Sequence, residues 1–207
     1  MTTETTTTEG ARARNMRRTR ERIVEAAMGL HTSVGPARTS VSAIAERAGV
    51  QRHTVYAHFP DEASIFRACT GHWLSLNPSP DHERWAEIAP FEARIAAAID
   101  EVWAYWVRTA GDLTTVLADV GKVAALEEAR TYWGEVTDAW VASALGGHRA
   151  RGRRRARLAA ALRHALAMET WRSLTAPGGM TRPEAVRLMT GFVLQAAEPA
   201  RPAPTRS

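Results

Sequence analysis

The chain has 207 residues, 45% of them hydrophobic, and its formal net charge is +5. This length and apolar content suffice for one domain or two small ones with a hydrophobic core. A single cysteine, Cys69, excludes an internal disulfide, and Asp100 and Glu101 interrupt the longest apolar stretch, so no membrane-spanning segment is predicted. The N-terminal ten residues contain no apolar signal-peptide core, and a cytoplasmic protein is therefore expected.

The N-terminal segment is predicted to pass from a tail into a first helix. Residues 1–14 are rich in threonine and lack apolar periodicity, which predicts a disordered tail. Residues 11–60 carry nine arginines against three glutamates, a positive balance that favours contact with nucleic-acid phosphates. The first helix should end at Gly35-Pro36, and its apolar positions share one face: Ile23, Ala26, Ala27 and Leu30.

Two short helices joined by a glycine turn are predicted between residues 39 and 59. The first has apolar residues at the spacing of one helix face: Val41, Ile44, Ala45 and Ala48. Ser40 stands where an N-cap is expected, and Gly49 stands where a helix leaves through left-handed backbone. A second amphipathic run begins at Gln51. This layout is typical of a helix-turn-helix, whose second helix lies in the major groove of DNA.

The outward positions of the second helix carry polar side chains that can bond to base edges and phosphates, and none is acidic. Arg52, His53 and Thr54 are the candidates for base contacts, the alternative being that they are only solvated surface residues. Gln51 can reach either the DNA backbone or a base. Ser40 can bind a phosphate as well as cap its helix, because a helix N-terminus attracts anions.

Residues 39–59, which read TSVSAIAERAGVQRHTVYAHF and precede Pro60-Asp61, resemble the DNA-binding segment of the tetracycline-repressor (TetR) family. The resemblance covers residues 19–66, and TVYAHF is its most specific part. It implies a homodimeric, ligand-responsive transcriptional regulator of bacterial type, usually a repressor. It also implies that Tyr56 and His58 bind phosphates, although Tyr56 could instead only pack against the first helix.

Three positions differ from the usual pattern of that family. His53 stands where a small residue is usual, and it would change the surface that reads bases. Glu62 stands where a lysine is often found, so one expected phosphate contact would be missing. His31 stands near the end of the first helix, where an aromatic residue is usual.

The remainder of the chain is predicted to be helical, which gives an all-α fold of about nine helices, as the resemblance also implies. The linker Asn77-Pro78-Ser79-Pro80 separates a DNA-binding domain, 15–77, with its motif at 40–59, from an effector-binding and dimerisation domain, 78–198. A second disordered tail is predicted over 199–207. The predicted helices of the second domain begin near Pro90 and then cover 113–120, 124–145, 158–174 and 181–197. The resemblance implies that the last two pack across a two-fold axis.

Tryptophans are concentrated in the second domain. An aromatic-lined cavity with a few polar groups would suit a planar or hydrophobic small ligand, although aromatic residues at helical spacing can equally form plain core. The candidate lining residues are Trp103, Trp106, Trp133, Thr137, Trp140, His164, Met168 and Trp171.

Residues 148–157, HRARGRRRAR, contain six arginines between two predicted helices. We interpret them as a solvated loop, with a second nucleic-acid patch as the alternative.

An enzyme is not predicted. The histidines lack metal-ligand spacing, Cys69 has no evident catalytic partners, and there is no glycine-rich phosphate loop, so no cofactor or metal site is expected. The predicted partners are a palindromic double-stranded DNA operator, a second copy of the chain and an unidentified small-molecule effector, with no membrane. The alternative function is a DNA-binding protein that does not respond to a ligand.

Overall fold

The computed structural model describes residues 10–198 and contains no strand within that range, which confirms the all-α prediction. Two 3-10 helices, Pro36–Arg38 and His82–Glu87, accompany the α-helices. Within the described range, every helix is too short or too polar to cross a membrane. The α-helices in chain order are α1 (Ala11–Ser33), α2 (Val41–Ala48), α3 (Arg52–His58), α4 (Glu62–Leu76), α5 (Phe91–Leu117), α6 (Ala125–Ala144), α7 (Gly152–Leu166), α8 (Met168–Thr175) and α9 (Arg182–Ala197).

The chain divides into two compact units. The first combines the N-terminal segment up to Pro78 with residues 111–128, and the second combines 79–110 with the chain from Ala129 onward. The sequence analysis assigned 111–128 to the second domain. Two hydrogen bonds hold this segment in the first unit: Trp73 Nε1 donates to Asp112 Oδ2 at 2.8 Å, and the Ala37 N–H donates to Asp119 Oδ2 at 2.9 Å.

The first unit has a core to which α1, α2, α3 and α4 all contribute. The predicted apolar stripe of α1 is buried at Ile23, Ala26 and Ala27, and Leu30 packs against the same core while partly exposed. Its partners include the buried stripe of α2, Val55 of α3 and Ile65 of α4. Burial of about 1.5–3 kcal/mol per large apolar side chain makes this core the main source of stability for the unit.

Two side-chain caps fix where α2 and α4 begin. The Ser40 hydroxyl accepts a hydrogen bond from the Ala43 N–H at 3.1 Å, which confirms the predicted N-cap. Asp61 accepts from the Ser64 N–H at 2.6 Å, and the Ser64 side chain pairs back to the Asp61 backbone in a capping box. The two caps therefore fix the starts of the helices that precede and follow α3.

The second unit packs α7 against α9 over buried residues that include Leu158, Leu162, Ala185 and Val193. Arg154 Nε donates to the carbonyl of Ala197, and Arg157 Nε donates to that of Ala196 at 2.9 Å. These side chains of α7 thus donate hydrogen bonds to carbonyls at the end of α9, which have no N–H donor within their own helix.

The bounds of two helices, α1 and α5, differ from the sequence predictions. α1 begins at Ala11, so 11–14 are helical rather than tail; 1–9 and the predicted tail 199–207 lie outside the described residues. α5 continues through Gly111 to Leu117, where a break and a separate helix over 113–120 were predicted. Asp112 is held there by Trp73, and one glycine inside a helix costs only about 1 kcal/mol.

The arginine-rich run and the segment after it also differ from their predictions. α7 begins at Gly152, so most of the predicted loop 148–157 is helical, because Arg154 and Arg157 are bound to the end of α9. The single helix predicted over 158–174 is interrupted at Ala167, whose backbone is extended with ψ 140°. Near this break, the carbonyls of Ala165 and Leu166 accept hydrogen bonds from tryptophan side chains of α5.

Candidate DNA-binding site and aromatic cluster

The turn between α2 and α3 is fixed by Gly49 and by an arginine of α1. Gly49 adopts left-handed backbone, with φ 63° and ψ 41°, which glycine takes without steric cost. Arg22 donates from Nη2 to the carbonyl of Ala48 and, at 3.1 Å, to that of Gly49. A Cβ atom at Gly49 would lie 2.8 Å from the same nitrogen. α1 therefore holds the carbonyls of the turn directly, and the left-handed backbone of Gly49 favours glycine at this position.

α3 is held on the first unit by one buried face. Val55 is fully buried, and Phe59, just after the helix, is 1% exposed, with the Arg20 guanidinium 4.6 Å from the centre of its ring. The opposite face carries the residues that the sequence analysis selected for DNA contact. Gln51, Arg52, His53 and Tyr56 are exposed, and Thr54 and His58 are half-buried.

Arg52 and Tyr56 form a pair on this exposed face. Arg52 Nη2 donates to the Tyr56 hydroxyl at 3.3 Å, and its guanidinium lies 5.6 Å from the centre of the ring. This hydrogen bond raises the pKa of Arg52, which keeps its positive charge. Tyr56 is 42% exposed, so its ring is presented to solvent rather than buried against α1. The pair offers a cation and a hydroxyl one helical turn apart, which suits a phosphate or a base edge.

His31 and Cys69 lie behind this surface, in the core of the first unit. The His31 ring is buried 5.5 Å from that of Phe66, so it occupies the position of the aromatic residue usual in the resembled family. Its Nδ1 is 3.2 Å from Cys69 Sγ. Burial lowers the pKa of His31 to about 4 and raises the pKa of Cys69 to about 12. Both are therefore neutral near pH 7, and Cys69 lacks the thiolate that a nucleophile requires.

A cavity of about 190 Å³ borders His31 inside the first unit. Most of its lining is apolar, with His31, Thr39 and Glu62 as its polar residues. Within 10–198, no group of three or more His, Cys, Asp or Glu residues is arranged to hold a metal ion.

Four aromatic rings of α5 and α6 form a cluster in the second unit, which we call the aromatic cluster: Tyr105, Trp106, Trp133 and Trp140. Their ring centres lie 5.2 to 6.3 Å apart, in tilted or edge-on arrangements. Such geometry adds about 0.5–1.5 kcal/mol per pair to the burial of the rings.

The polar atoms of these aromatic side chains divide into two groups. Trp103 Nε1 donates to the Ala165 carbonyl at 2.9 Å, and Trp106 Nε1 donates to the Leu166 carbonyl at 2.8 Å. In contrast, Tyr105 Oη and Trp140 Nε1 are buried and have no hydrogen-bond partner among the described residues. Burial also raises the pKa of Tyr105, so its hydroxyl stays protonated. A buried polar atom without a partner costs about 1–3 kcal/mol, which makes these two atoms candidates for contact with a ligand.

The other residues proposed for an effector pocket lie in varied settings. Thr137 uses its hydroxyl within α6, donating to the Trp133 carbonyl at 2.8 Å. Met168 is buried and Trp171 is half-buried. His164 is exposed, and its ring contact is with Phe192 of α9, 5.9 Å away, rather than with a tryptophan.

Comparison with known proteins identifies the helix-turn-helix. Residues 23–69 match the sequence profile of the family described as bacterial regulatory proteins, tetR family. The match covers the helix-turn-helix and its neighbouring helices, so this part of the chain is similar to the DNA-binding segment of that family. No curated protein matches the chain in sequence.

Two solved structures share the fold of this chain. A candidate fatty acid metabolism regulator from Clostridium perfringens has a TM-score of 0.59 at 18% identity, over 84% of this chain and 97% of that protein. A TetR-like transcriptional regulator from Rhodococcus sp. RHA1 has a TM-score of 0.53 at 13% identity, over 86% and 94% of the two chains. The fold of these two proteins therefore extends over most of this chain.

Two residues beside the candidate sites could not be identified from the sequence. The spacing of Arg22 from Gly49 along the chain gives no sign of their contact. Tyr105 is not among the predicted lining residues. Tyr105 directly precedes Trp106 and therefore points from a different face of the helix. Only the packing of α6 brings its ring beside Trp133 and Trp140.

Proposed function

We propose that this protein is a DNA-binding repressor of the TetR family, which a small aromatic or hydrophobic ligand releases from a partly palindromic operator. The observation that carries the DNA-binding half is the outer face of α3, where exposed polar side chains stand opposite the buried Val55. No residue of α3 is acidic, so nothing on this helix repels phosphates.

The residues of this face have separate roles in the proposal. Arg52, His53 and Thr54 contact base edges, which gives sequence preference. Tyr56 and His58 contact phosphates, as does Ser40 at the start of α2, and Gln51 reaches the backbone or a base. Glu62, exposed at the start of α4, makes no phosphate contact.

The proposed dimer uses the last helices of the chain, as the sequence analysis expected for 158–174 and 181–197. Support comes from α9, where Leu188 is 47% exposed and Phe192 is 44% exposed. These residues are four apart and therefore share one helix face, which a second copy can cover. Two copies related by a two-fold axis present two α3 helices, and a symmetric operator follows from that symmetry.

The aromatic cluster is the proposed effector site. Tyr105 Oη and Trp140 Nε1 supply two buried donors without partners, beside apolar rings. A ligand with a planar apolar body and a neutral hydrogen-bond acceptor would satisfy at least one of them. It releases DNA only if it binds one dimer conformation more tightly than the other, with a typical coupling of about 1–3 kcal/mol.

Selection of bound sequences from a random duplex pool tests the DNA-binding half. We expect a site with two inverted half-sites whose centres are about 10 base pairs, or a multiple, apart. Sedimentation at micromolar concentration should show a dimer. Recovered sites without inverted symmetry, or a monomer bound to DNA, would contradict the proposal.

A library of small aromatic compounds, screened by tryptophan fluorescence and by operator affinity, tests the ligand half. A binding compound should weaken operator affinity, and the operator should weaken binding of the compound by the same factor. Trp140→Phe should reduce affinity for that compound and leave DNA affinity unchanged, whereas Trp73→Phe in the first unit should not affect the compound. Fluorescence changes without any loss of operator affinity would leave the alternative, a DNA-binding protein that does not respond to ligands.

A further inference from the structure

The start of α7 carries an unusual concentration of positive charge. Six arginines fall within residues 149–157, and three of them have structural roles. Arg154 and Arg157 cap the end of α9, as described above. Arg151 donates from Nη1 to the carbonyls of His148 and Ala150, at 3.0 and 2.9 Å.

The other three arginines, Arg149, Arg153 and Arg155, make no side-chain hydrogen bond or ion pair with any described residue, and we call them the arginine face. Arg149 and Arg153 are exposed, and Arg155 is half-buried. Three arginines elsewhere in the second unit are paired with carboxylates: Arg84 with Glu101, Arg163 with Asp138 and Arg182 with Asp100. The arginine face differs from these three in lacking a counter-charge, and it differs from Arg151, Arg154 and Arg157 in lacking a carbonyl acceptor.

The surroundings of the arginine face are positive as well. Burial, and then the positive charges of Arg154, Arg155, Arg151 and Arg94, lower the pKa of the neighbouring His148. α7 also starts without a side-chain cap and without an acidic residue in its first turn. Its first N–H groups therefore add to the positive potential of the arginines.

We propose that the arginine face is a second DNA-contact surface, which binds the phosphodiester backbone outside the operator and reads no sequence. Guanidinium groups bind phosphate oxygens bidentately and remain charged at any physiological pH. Once the helix-turn-helix holds its operator, flanking DNA is tethered to the same protein, which raises the local concentration of phosphates. The proposal rests on operator binding and is independent of any response to a ligand.

The composition of the segment favours a phosphate backbone over other anionic partners. Membrane-surface helices and protein interfaces both rely on exposed large apolar or aromatic anchors. Residues 149–157 contain only Arg, Ala and Gly, and Ala150 is buried. Contact with the DNA backbone needs positive charge and hydrogen-bond donors but no apolar anchor. The arginine face has both, so the phosphate backbone of DNA is the partner that it fits.

The test compares two triple variants with the same change in net charge. Arg149→Gln/Arg153→Gln/Arg155→Gln removes the arginine face, and Arg84→Gln/Arg163→Gln/Arg182→Gln is the matched control, in which the arginines already have carboxylate partners. Affinity is measured over a salt series on a duplex that covers the operator alone and on one extended by several helical turns on each side. Thermal unfolding by circular dichroism establishes that each variant is folded.

We expect the arginine-face variant to lose affinity on the long duplex, with a salt slope smaller by about 1 for each phosphate contact removed. On the short duplex it should match the wild type, and the control variant should match the wild type on both. Equal slopes for the two variants on the long duplex would overturn the proposal. So would equal losses on the short and long duplexes, or a loss of binding only to polyglutamate or to vesicles of anionic phospholipid. Failure of the wild type to bind any operator would instead refute the function of the helix-turn-helix.

Discussion

Asp119 lies so close to Gly35 that a Cβ atom at residue 35 would stand 2.6 Å from its Oδ2 atom. The same oxygen accepts the N–H of Ala37 at 2.9 Å, and Lys122 Nζ lies 2.9 Å from Oδ1. The Ala37 N–H and then Lys122 hold the pKa of Asp119 below its ordinary value, so the group is a carboxylate at neutral pH. Gly35 itself has φ 93° and ψ 150°, backbone that is almost restricted to glycine.

Gly35→Ala should therefore destabilise the protein. The backbone strain alone costs about 1–3 kcal/mol, and the methyl group would also displace the Asp119 carboxylate. Chemical denaturation measures the free energy of unfolding. Gly71→Ala is the matched control, because Gly71 lies inside α4 with no neighbouring atom within 4 Å of the added Cβ, and it should stabilise the protein by about 0.5–1 kcal/mol. If both substitutions changed the free energy of unfolding by the same amount, the close contact between residue 35 and Asp119 would be contradicted.

The burial of His31 should make stability depend on pH. Its pKa falls from 6.5 to about 4 on folding, so between these values the unfolded chain binds a proton that the folded chain does not. The free energy of unfolding should then decrease as the pH falls, by about 1.4 kcal/mol per pH unit over this range. His31→Phe should keep the ring contact with Phe66 and remove this part of the slope. Denaturation of both proteins from pH 7 to pH 4 measures it, and identical slopes would exclude His31 as the source.

Arg52 and Tyr56 should differ in what their loss does to DNA binding. Arg52→Ala should weaken the preferred operator by about 1–3 kcal/mol and relax discrimination at one base position. Tyr56→Phe should weaken binding to all sequences by about 1 kcal/mol, through one lost phosphate hydrogen bond. Titrations with operator and with unrelated duplex separate the two effects. An equal loss on both duplexes for Arg52→Ala would make Arg52 a backbone contact.

Trp106→Phe should cost more stability than the same change at Trp133. The first substitution leaves the Leu166 carbonyl without its buried donor, at about 1–3 kcal/mol. Trp133 is half-buried and makes no indole hydrogen bond with the described residues, so Trp133→Phe removes the same atoms without that penalty. Denaturation of the two variants gives the difference, and a larger loss for Trp133→Phe would show that ring packing outweighs the hydrogen bond.

The DNA-binding segment could be predicted from sequence because its signals are local. Ser40, Gly49 and the spacing from Val41 to Ala48 each act within a few residues, and the structure contains the cap, the left-handed turn and the buried stripe that they indicate. Asp61 belongs to the same class, because the residue that completes its capping box is only three positions away.

The parts that could not be predicted depend on contacts distant in sequence. Nothing near Gly111 shows that Trp73 will bind Asp112, and so the continuity of α5 was missed. The arginines at 154 and 157 were interpreted as loop residues because their acceptors lie at the end of α9, about forty residues later. The unpartnered Tyr105 hydroxyl is likewise a property of packing, since residue type alone does not show which donors find acceptors.

The break at Ala167 shows that a helix can end because of contacts with residues that are distant in sequence. Residues 158–174 contain neither proline nor glycine, so no local residue terminates α7. The indoles of Trp103 and Trp106, 62 and 60 residues before their acceptors, take the carbonyls that a continuing helix would use. The end of α7 thus depends on side chains of α5, and we expect substitutions at Trp103 or Trp106 to shift the boundary between α7 and α8 without any change in the segment that contains it.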